Sequence, residues 1–278
     1  MAFNLLKGKK GIIFGALDEK SIAWKTALRA YEEGASLVLT NSPIALRMGT
    51  INELSEKTGK SPIIGADATS VEDLENLYRS AAEYFNGGFD FILHSIGMSP
   101  NVRKGRSYGD LNYEWLLKSL DVSAISFHKM MQVAEKMDVL NEWGSIIALS
   151  YIAAQRTFPD YSDMAQAKAM LESIARSYGY RLGKLKNIRV NTISQSPTMT
   201  TAGTGIEGFN VFYRYAEKMS PLGNATAEDC ANYIVMMFSD MTRKVTMQNL
   251  MHDGGFSTSG ITDDLIKELQ NHKPTKGK

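Results

Sequence analysis

Cysteine is almost absent from this chain: among 278 residues there is one, Cys230. Without a second thiol there is no intramolecular disulfide, no Cys-x-x-Cys redox pair and no thiolate zinc site, and a reducing, cytoplasmic setting is expected. An excess of either charge is missing too. Lys and Arg number 31 against 30 Asp and Glu, a net charge of +1. Nucleic acid is therefore not an expected partner, because phosphate-backbone binding needs a clustered basic excess. Apolar runs such as Ile146 to Ala148 fall far short of the ~20 residues that cross a bilayer, so no membrane span is expected. The opening MAFNLLKGKK places its apolar patch before its basic cluster, the reverse of an export signal, and no export is expected. His94, His128, His252 and His272 show no metal-ligand spacing, and no metal is expected. His94, at a strand end, reads as a satisfied buried histidine rather than a base.

No Gly/Ser linker, composition shift or repeat divides the sequence, so one domain over 1–278 is expected, with 272–278 as a flexible basic tail. What the chain does contain is alternation. Short β-rich runs at Gly11–Phe14, Ser36–Thr40, Pro62–Ala66, Phe89–Gly97, Gly144–Ser150, Ile188–Ser194 and Gln248–Asp253 are separated by segments with helical apolar spacing, such as Ile22, Leu28 and Ala30, or Met164, Ala167, Leu171 and Ile174. Several runs are apolar at consecutive positions, as parallel strands covered on both faces are. Right-handed crossovers then give an α/β fold: a single doubly wound, Rossmann-type, seven-stranded parallel sheet with helices on both faces. Two segments interrupt the alternation, Ser99–Asn112 and Pro197–Gly208. Long loops after strand ends in such sheets commonly serve a ligand, and plain surface excursions are the rival explanation.

After the first strand comes Gly15-Ala16-Leu17-Asp18-Glu19-Lys20-Ser21-Ile22-Ala23, a glycine turn leading into a helix with Ser21 as its N-cap. Free N–H groups and the positive end of the helix dipole favour a phosphate there. The pattern is not G-x-G-x-x-G, and Gly15 read alone is equally a turn glycine. Asp18 and Glu19 would repel an anion unless they point away. Asp67, closing the third strand run, is either a hydrogen-bond acceptor for an adenine amino group or the N-cap of the next helix. At the second strand end Thr40, Asn41 and Ser42 include no acid to grip a ribose 2′-hydroxyl, so NADH and NADPH both stay open. Arg47 is either a partner for a 2′-phosphate or a solvated surface residue.

Tyr151, Tyr161 and Lys168 form the most informative constellation. In a helix beginning near Tyr161, seven residues advance about 700°, nearly two full turns, which places Tyr161 and Lys168 on one face. An ammonium beside a phenol lowers the phenol pKa and improves it as a proton donor or oxyanion stabiliser. A half-buried tyrosine beside a solvated lysine is the bland alternative. Phe209, Val211, Phe212, Tyr213, Tyr215 and Met219 could roof an apolar pocket or simply pack in the interior.

Several motifs together resemble one family. They are Gly15-x5-Ser21-Ile22-Ala23, His94-Ser95-Ile96-Gly97, Ser150-Tyr151, Pro159-Asp160-Tyr161-x6-Lys168, Ile188-Arg189-Val190-Asn191 and Asp253-Gly254-Gly255-Phe256. The chain resembles, nearly end to end, the enoyl-acyl-carrier-protein reductases of bacterial type II fatty-acid synthesis, a divergent branch of the short-chain dehydrogenases/reductases. A typical member of that superfamily carries lysine four places after its tyrosine, where this chain has Ala165, and an upstream serine, where it has Tyr151. The resemblance implies reduction of the trans-2 double bond of an enoyl thioester on acyl carrier protein, with NADH favoured over NADPH, in a homotetramer.

Residue by residue, the resemblance implies that Tyr161 hydrogen-bonds the thioester carbonyl, that Lys168 anchors the nicotinamide ribose, and that Tyr151 is the second catalytic tyrosine. Gly15, Ser21 and Ile22 would line the pyrophosphate, Ser42 the adenosine ribose, Asp67 and Ala68 the adenine, and Ile96 the adenosine half. Thr198 and Thr200 would contact nicotinamide and phosphates, and Ser99 the substrate. Residues 197–218 would form the substrate loop and helix. The chain departs from the family at Gln195-Ser196-Pro197, where a small residue, glycine and proline are usual. It also departs at Gly205-Ile206-Glu207-Gly208, which lacks the basic residues of a carrier-binding helix and leaves Arg214 and Lys218, and at Gln248-Asn249 before the last strand. A carbonyl reductase of the same superfamily and a catalytically silent dinucleotide-binding regulator are the alternatives.

Overall fold

The computed structural model describes residues 2–204 and 208–271. The expected tail 272–278 and residues 205–207 of the expected substrate loop lie outside the described residues. Six strands, β1 (Lys10–Phe14), β2 (Ser36–Thr40), β3 (Phe89–His94), β4 (Leu140–Ser150), β5 (Arg189–Gln195) and β6 (Asn249–His252), pair in parallel in the order β2-β1-β3-β4-β5-β6. Among the described residues, the helices of eight residues or more are α1 (Ile22–Glu32), α2 (Val71–Phe85), α3 (Tyr113–Leu120), α4 (Ser126–Lys136), α5 (Met164–Lys186), α6 (Phe209–Met219), α7 (Ala227–Phe238) and α8 (Asp263–Asn271). None of the described helices is long and apolar enough to cross a membrane.

The expected seventh strand, Pro62–Ala66, is not one. It runs beside β2 through Leu39 N–H to Pro62 O, Ile64 N–H to Leu39 O and Ala66 N–H to Asn41 O, yet forms only one isolated bridge, Leu39 with Ile63. Pro62 has no N–H to offer and, among the described residues, no further strand pairs with the outer side, so the segment stays an irregular margin of the sheet. The opposite discrepancy occurs at β4, which begins four residues before the expected Gly144. Its register jumps from Phe89 opposite Leu140 to Phe91 opposite Ser145, and Trp143 sits at φ 61° within the bulge. The extra residues hide the strand period from a sequence reading.

Alternation along each strand builds two cores at once. Ile13 of β1, Phe91 and Leu93 of β3, Ile147 of β4 and Ile193 of β5 pack against α1 and α7. Their neighbours Ile12, Phe14, Ile92, Ile146, Ala148 and Val190 pack against α2, α4 and α5 on the other face. A strand apolar at every position is what a sheet buried on both sides requires. Gly11 makes room in the first core: a Cβ there would lie 2.0 Å from the Phe91 ring, which stacks on Phe238 with centroids 4.4 Å apart.

Strand order reverses between β1 and β3, and at such a reversal the connections leave in opposite directions and open a crevice at the carboxyl ends. That point is marked by close backbone approach. Gly15 has φ +93°, and a Cβ on it would stand 2.0 Å from the Ser95 carbonyl oxygen. Only glycine fits there.

Candidate active site

A cavity of about 240 Å³ opens at these strand ends, lined from β3 by Ser95, Ile96 and Gly97, from β4 by Leu149, Ser150 and Tyr151, and from β5 by Gln195 to Thr198. Of the residues singled out in the sequence, Ile22, Ile96, Tyr151, Tyr161, Lys168, Thr198 and Thr200 all line it. Gly15 and Ser21 are not among the lining residues; Ser21 directly precedes Ile22, and Gly15 approaches the Ser95 carbonyl, both Ile22 and Ser95 being in the lining. Ser21 caps α1, its Oγ accepting from Trp24 N–H, and no acid occupies the first turn of that helix. The two neighbouring acids are already engaged: Glu19 pairs with Lys57 at 2.5 Å, and Asp18 accepts from Lys20 N–H and the Thr201 hydroxyl. The helix start thus keeps the character of an anion site.

Ser42, Asp67, Ala68 and Ser99 do not line this cavity. Ser42 caps the short helix Pro43–Met48, whose last turn carries the exposed Arg47. Asp67 is not a helix cap, because Ser70 holds that place for α2; its Oδ1 closes a turn on the N–H and hydroxyl of Thr69. Ser99 is the N-cap of the short helix Pro100–Arg103. It is buried, accepts from Val102 N–H, and donates its hydroxyl to Asp163.

Tyr161 and Lys168 reach the cavity by a route other than a shared helix. Tyr161 ends a 3-10 turn, Pro159–Tyr161, Ser162 follows at φ 45°, and α5 starts only at Met164. Lys168, one turn into α5, is buried and donates from Nζ to the Leu149 carbonyl at 2.7 Å. Burial lowers its pKa to about 8, opposed by the Glu172 carboxylate one turn further on. Glu172 is buried as well and accepts from Ser150 Oγ at 2.8 Å and Gln155 Nε2 at 3.1 Å, which fixes both flanks of Tyr151.

Burial raises the pKa of both tyrosines, and Tyr161 and Asp253 add to the rise at Tyr151. The expectation of a lysine-lowered phenol is therefore overturned: desolvation wins, and Tyr161 is a neutral O–H donor. The rings of Phe158, Phe212 and Phe256 continue the aromatic wall, with Phe158 centroids 5.4 Å from Tyr151, 5.9 Å from Phe212 and 6.1 Å from Phe256. The α6 residues divide in two: Phe209 and Phe212 line the cavity, whereas Met219 packs in a small core with Ile152 and Phe256.

His94 sits at the end of β3, fully buried, with Nε2 2.8 Å from Ser126 Oγ. Ser126 donates its own hydroxyl to Val122 O, so His94 carries its proton on Nε2. Burial and the charge of Lys168 push its pKa down to about 3. The Gln195-Ser196-Pro197 departure is internally satisfied. Ser196 Oγ accepts from Ala225 N–H, and Gln195 Oε1 accepts from His252 Nδ1 and the Cys230 thiol. Phe158, Glu172 and Asp163 were not singled out in the sequence; the Lys168-x3-Glu172 spacing was the one available signal. Among the described residues no group of three or more His, Cys, Asp or Glu could hold a metal ion.

A cradle that a Cβ would fill at Gly15, an acid-free helix start and a buried cation in the same crevice together fit a nicotinamide dinucleotide. Comparison with known proteins agrees. A family model described as Enoyl-(Acyl carrier protein) reductase matches residues 15–257. The enoyl-[acyl-carrier-protein] reductase [NADH] FabI of Rickettsia bellii is 36% identical over 262 residues, covering 94% of this chain and 98% of that protein. A crystal structure of the FabI–NADH complex from Alistipes finegoldii superposes with a TM-score of 0.92 at 65% identity, covering 94% of this chain and 92% of that one.

Proposed function

The chain belongs to the enoyl-(acyl carrier protein) reductase family, and from that premise we propose how its own residues carry out the reduction of an enoyl thioester with NADH. When bound, NADH would supply the hydride for the substrate β-carbon, and a proton from water would complete the α-carbon. Tyr161 is the donor to the thioester oxygen. Charge grows on that oxygen as the double bond is reduced, so a neutral, desolvated O–H strengthens its hydrogen bond between ground state and transition state, the condition for lowering a barrier. Tyr151 backs Tyr161 from one side and is the second tyrosine of the site. Lys168 holds the nicotinamide ribose with a charge kept close by the Leu149 carbonyl.

Gly15, Ser21 and Ile22 take the pyrophosphate side, Ser42 the adenosine ribose, Asp67 and Ala68 the adenine, and Ile96 the adenosine half. Thr198 and Thr200 meet the nicotinamide end. Residues 197–218 serve as substrate loop and helix in a single reductase domain. The acyl chain runs along Phe158 and Phe212. The partner is an acyl carrier protein; a homotetramer, a cytoplasmic location and no nucleic-acid or membrane partner complete the proposal. For the carrier surface, exposed Arg214 is a better candidate than Lys218, which pairs with Glu268.

The observation that carries this proposal is the convergence of Tyr151, Tyr161 and Lys168 on one cavity at the strand-order reversal. A steady-state assay tests it: crotonyl thioester with NADH should lose nicotinamide absorbance, while a simple ketone should not. Turnover of the ketone alone would point to the carbonyl-reductase alternative, and dinucleotide binding with no turnover of either to the silent regulator.

A further inference from the structure

Asp163 is fully buried, and no lysine, arginine or histidine pairs with it among the described residues. It is the N-cap residue of α5, yet its side chain does not cap that helix. Its Oδ1 accepts from Ser99 Oγ at 2.5 Å, and its Oδ2 from Asn101 Nδ2 at 2.9 Å and Ser119 Oγ at 2.8 Å. Ser119 also lies 2.7 Å from the Trp115 carbonyl, so its single proton is shared, and the firm donors are Ser99 and Asn101. A carboxylate without a counter-ion pays heavily for leaving water, and two firm donors with a third shared one are what make it tolerable. Such a group adds little to stability that apolar packing would not; what it adds is a fixed geometry.

The elements it joins are the two walls of the active site. On one side, Ser99 lies two residues beyond Gly97, and Ser95, Ile96 and Gly97 line the cavity. Asn101 stiffens that side: its Oδ1 accepts from Asn112 N–H and its Nδ2 reaches Asn112 O, closing the base of the Ser99–Asn112 loop. On the other side, Asp163 lies two residues beyond Tyr161 and five before Lys168, directly after Ser162 with its positive φ. A Cβ on Gly97 would come 3.7 Å from Lys168 Nζ, so the walls are already near contact. Val102 adds apolar packing against Met164 and Tyr161, and Ser123 links the Met98 backbone to Met164 Sδ; Asp163 supplies the direct hydrogen bonds from the Ser99 segment to the turn between Tyr161 and α5.

We propose that Asp163 is a positioning residue for the reduction: by bolting Ser99 and Asn101 to the start of α5, it fixes the distance between the β3-end wall and the Tyr161 hydroxyl. The proposal rests on the role of Tyr161 given above. Misplacement of reacting groups by about 1 Å can cost on the order of 10²-fold in rate.

The test is Asp163→Asn, which keeps the shape and turns one acceptor toward its donors, assayed with crotonyl thioester and NADH at a temperature where circular dichroism shows a folded protein. The expected result is a kcat lower by about tenfold, with KM for both substrates and the NADH Kd within about twofold of wild type. In combination with Tyr161→Phe, it should lose no more than Tyr161→Phe alone, because groups acting through one another are non-additive. Should the buried Asn variant not fold, Ser99→Ala and Ser99→Thr decide the matter: loss of kcat in the first and its recovery in the second support the proposal. An Asp163→Asn or Ser99→Ala enzyme with wild-type kcat and only a lower Tm overturns it, as does full additivity with Tyr161→Phe. Wild type without turnover, or Tyr161→Phe with full turnover, instead overturns the underlying role of Tyr161, and is read before any Asp163 variant is made.

Discussion

The rings of Tyr151 and Tyr161 meet with centroids 5.0 Å apart and planes tilted by 57°. That contact supports Tyr161 through its ring and leaves its hydroxyl for the cavity that both residues line. Tyr161→Phe keeps the ring contact and removes only the donor. Its kcat with crotonyl thioester should fall on the order of 10² to 10³, as for other oxyanion donors. NADH titration by fluorescence should be unchanged, and a variant with wild-type turnover would take Tyr161 out of the chemistry.

Lys168 should set a pH dependence of the free enzyme. Its pKa is lowered to about 8, chiefly by burial, so the ammonium is present below that pH and lost above it. The profile of kcat/KM for NADH should therefore fall as pH rises through about 8. Glu172 opposes the shift, and Glu172→Gln should move the falling limb to lower pH. A limb unmoved in that variant would assign it to another group.

His94 should shape acid stability. Its folded pKa of about 3 lies below the ordinary value of 6.5, so between those values the unfolded chain binds more protons, and stability drops as pH falls. At pH 5 the cost is about 2 kcal/mol, from ~1.4 kcal/mol per pH unit below the unfolded pKa. Urea midpoints at pH 7.5 and pH 5 should lie farther apart in wild type than in His94→Gln, whose amide can still donate to Ser126. Equal spacing in the two proteins would exclude His94 as the cause.

Gly15→Ala tests the crevice itself. At φ +93° an added Cβ meets the Ser95 carbonyl oxygen at 2.0 Å. The left-handed conformation alone costs an L-residue about 1–2 kcal/mol, and relief of the contact must push β1 from β3, next to the proposed pyrophosphate site. The variant should lose at least about 1 kcal/mol in chemical denaturation and bind NADH at least about tenfold more weakly. Unaltered NADH affinity would place the dinucleotide elsewhere.

Much of the fold was readable because the sheet is buried on both faces, which writes itself as consecutive apolar residues; β2 begins at Ser36 and ends at Thr40 as expected. Pro62–Ala66 has the same composition, but whether a run gains neighbours on both sides is a tertiary fact. Part of the cavity lining was legible as residues, whereas the geometry between them differs from the expectation. Tyr161 and Lys168 do line one cavity, but Ser162 breaks the helix between them, and the phenol is raised by burial, which a spacing argument does not contain. Asp163 was invisible because its donors lie 44 to 64 residues away in the chain.

The two-sided sheet also governs where the chain tolerates a change of length. Ile12 and Ile13 feed opposite cores, as do Ile146 and Ile147, so deleting one residue inside β1 or β4 would transpose every later side chain of that strand into the wrong layer. At Gly87, by contrast, even an added Cβ meets nothing within 4 Å. Descendants of this gene should therefore vary in length at such turns and stay in phase within the strands.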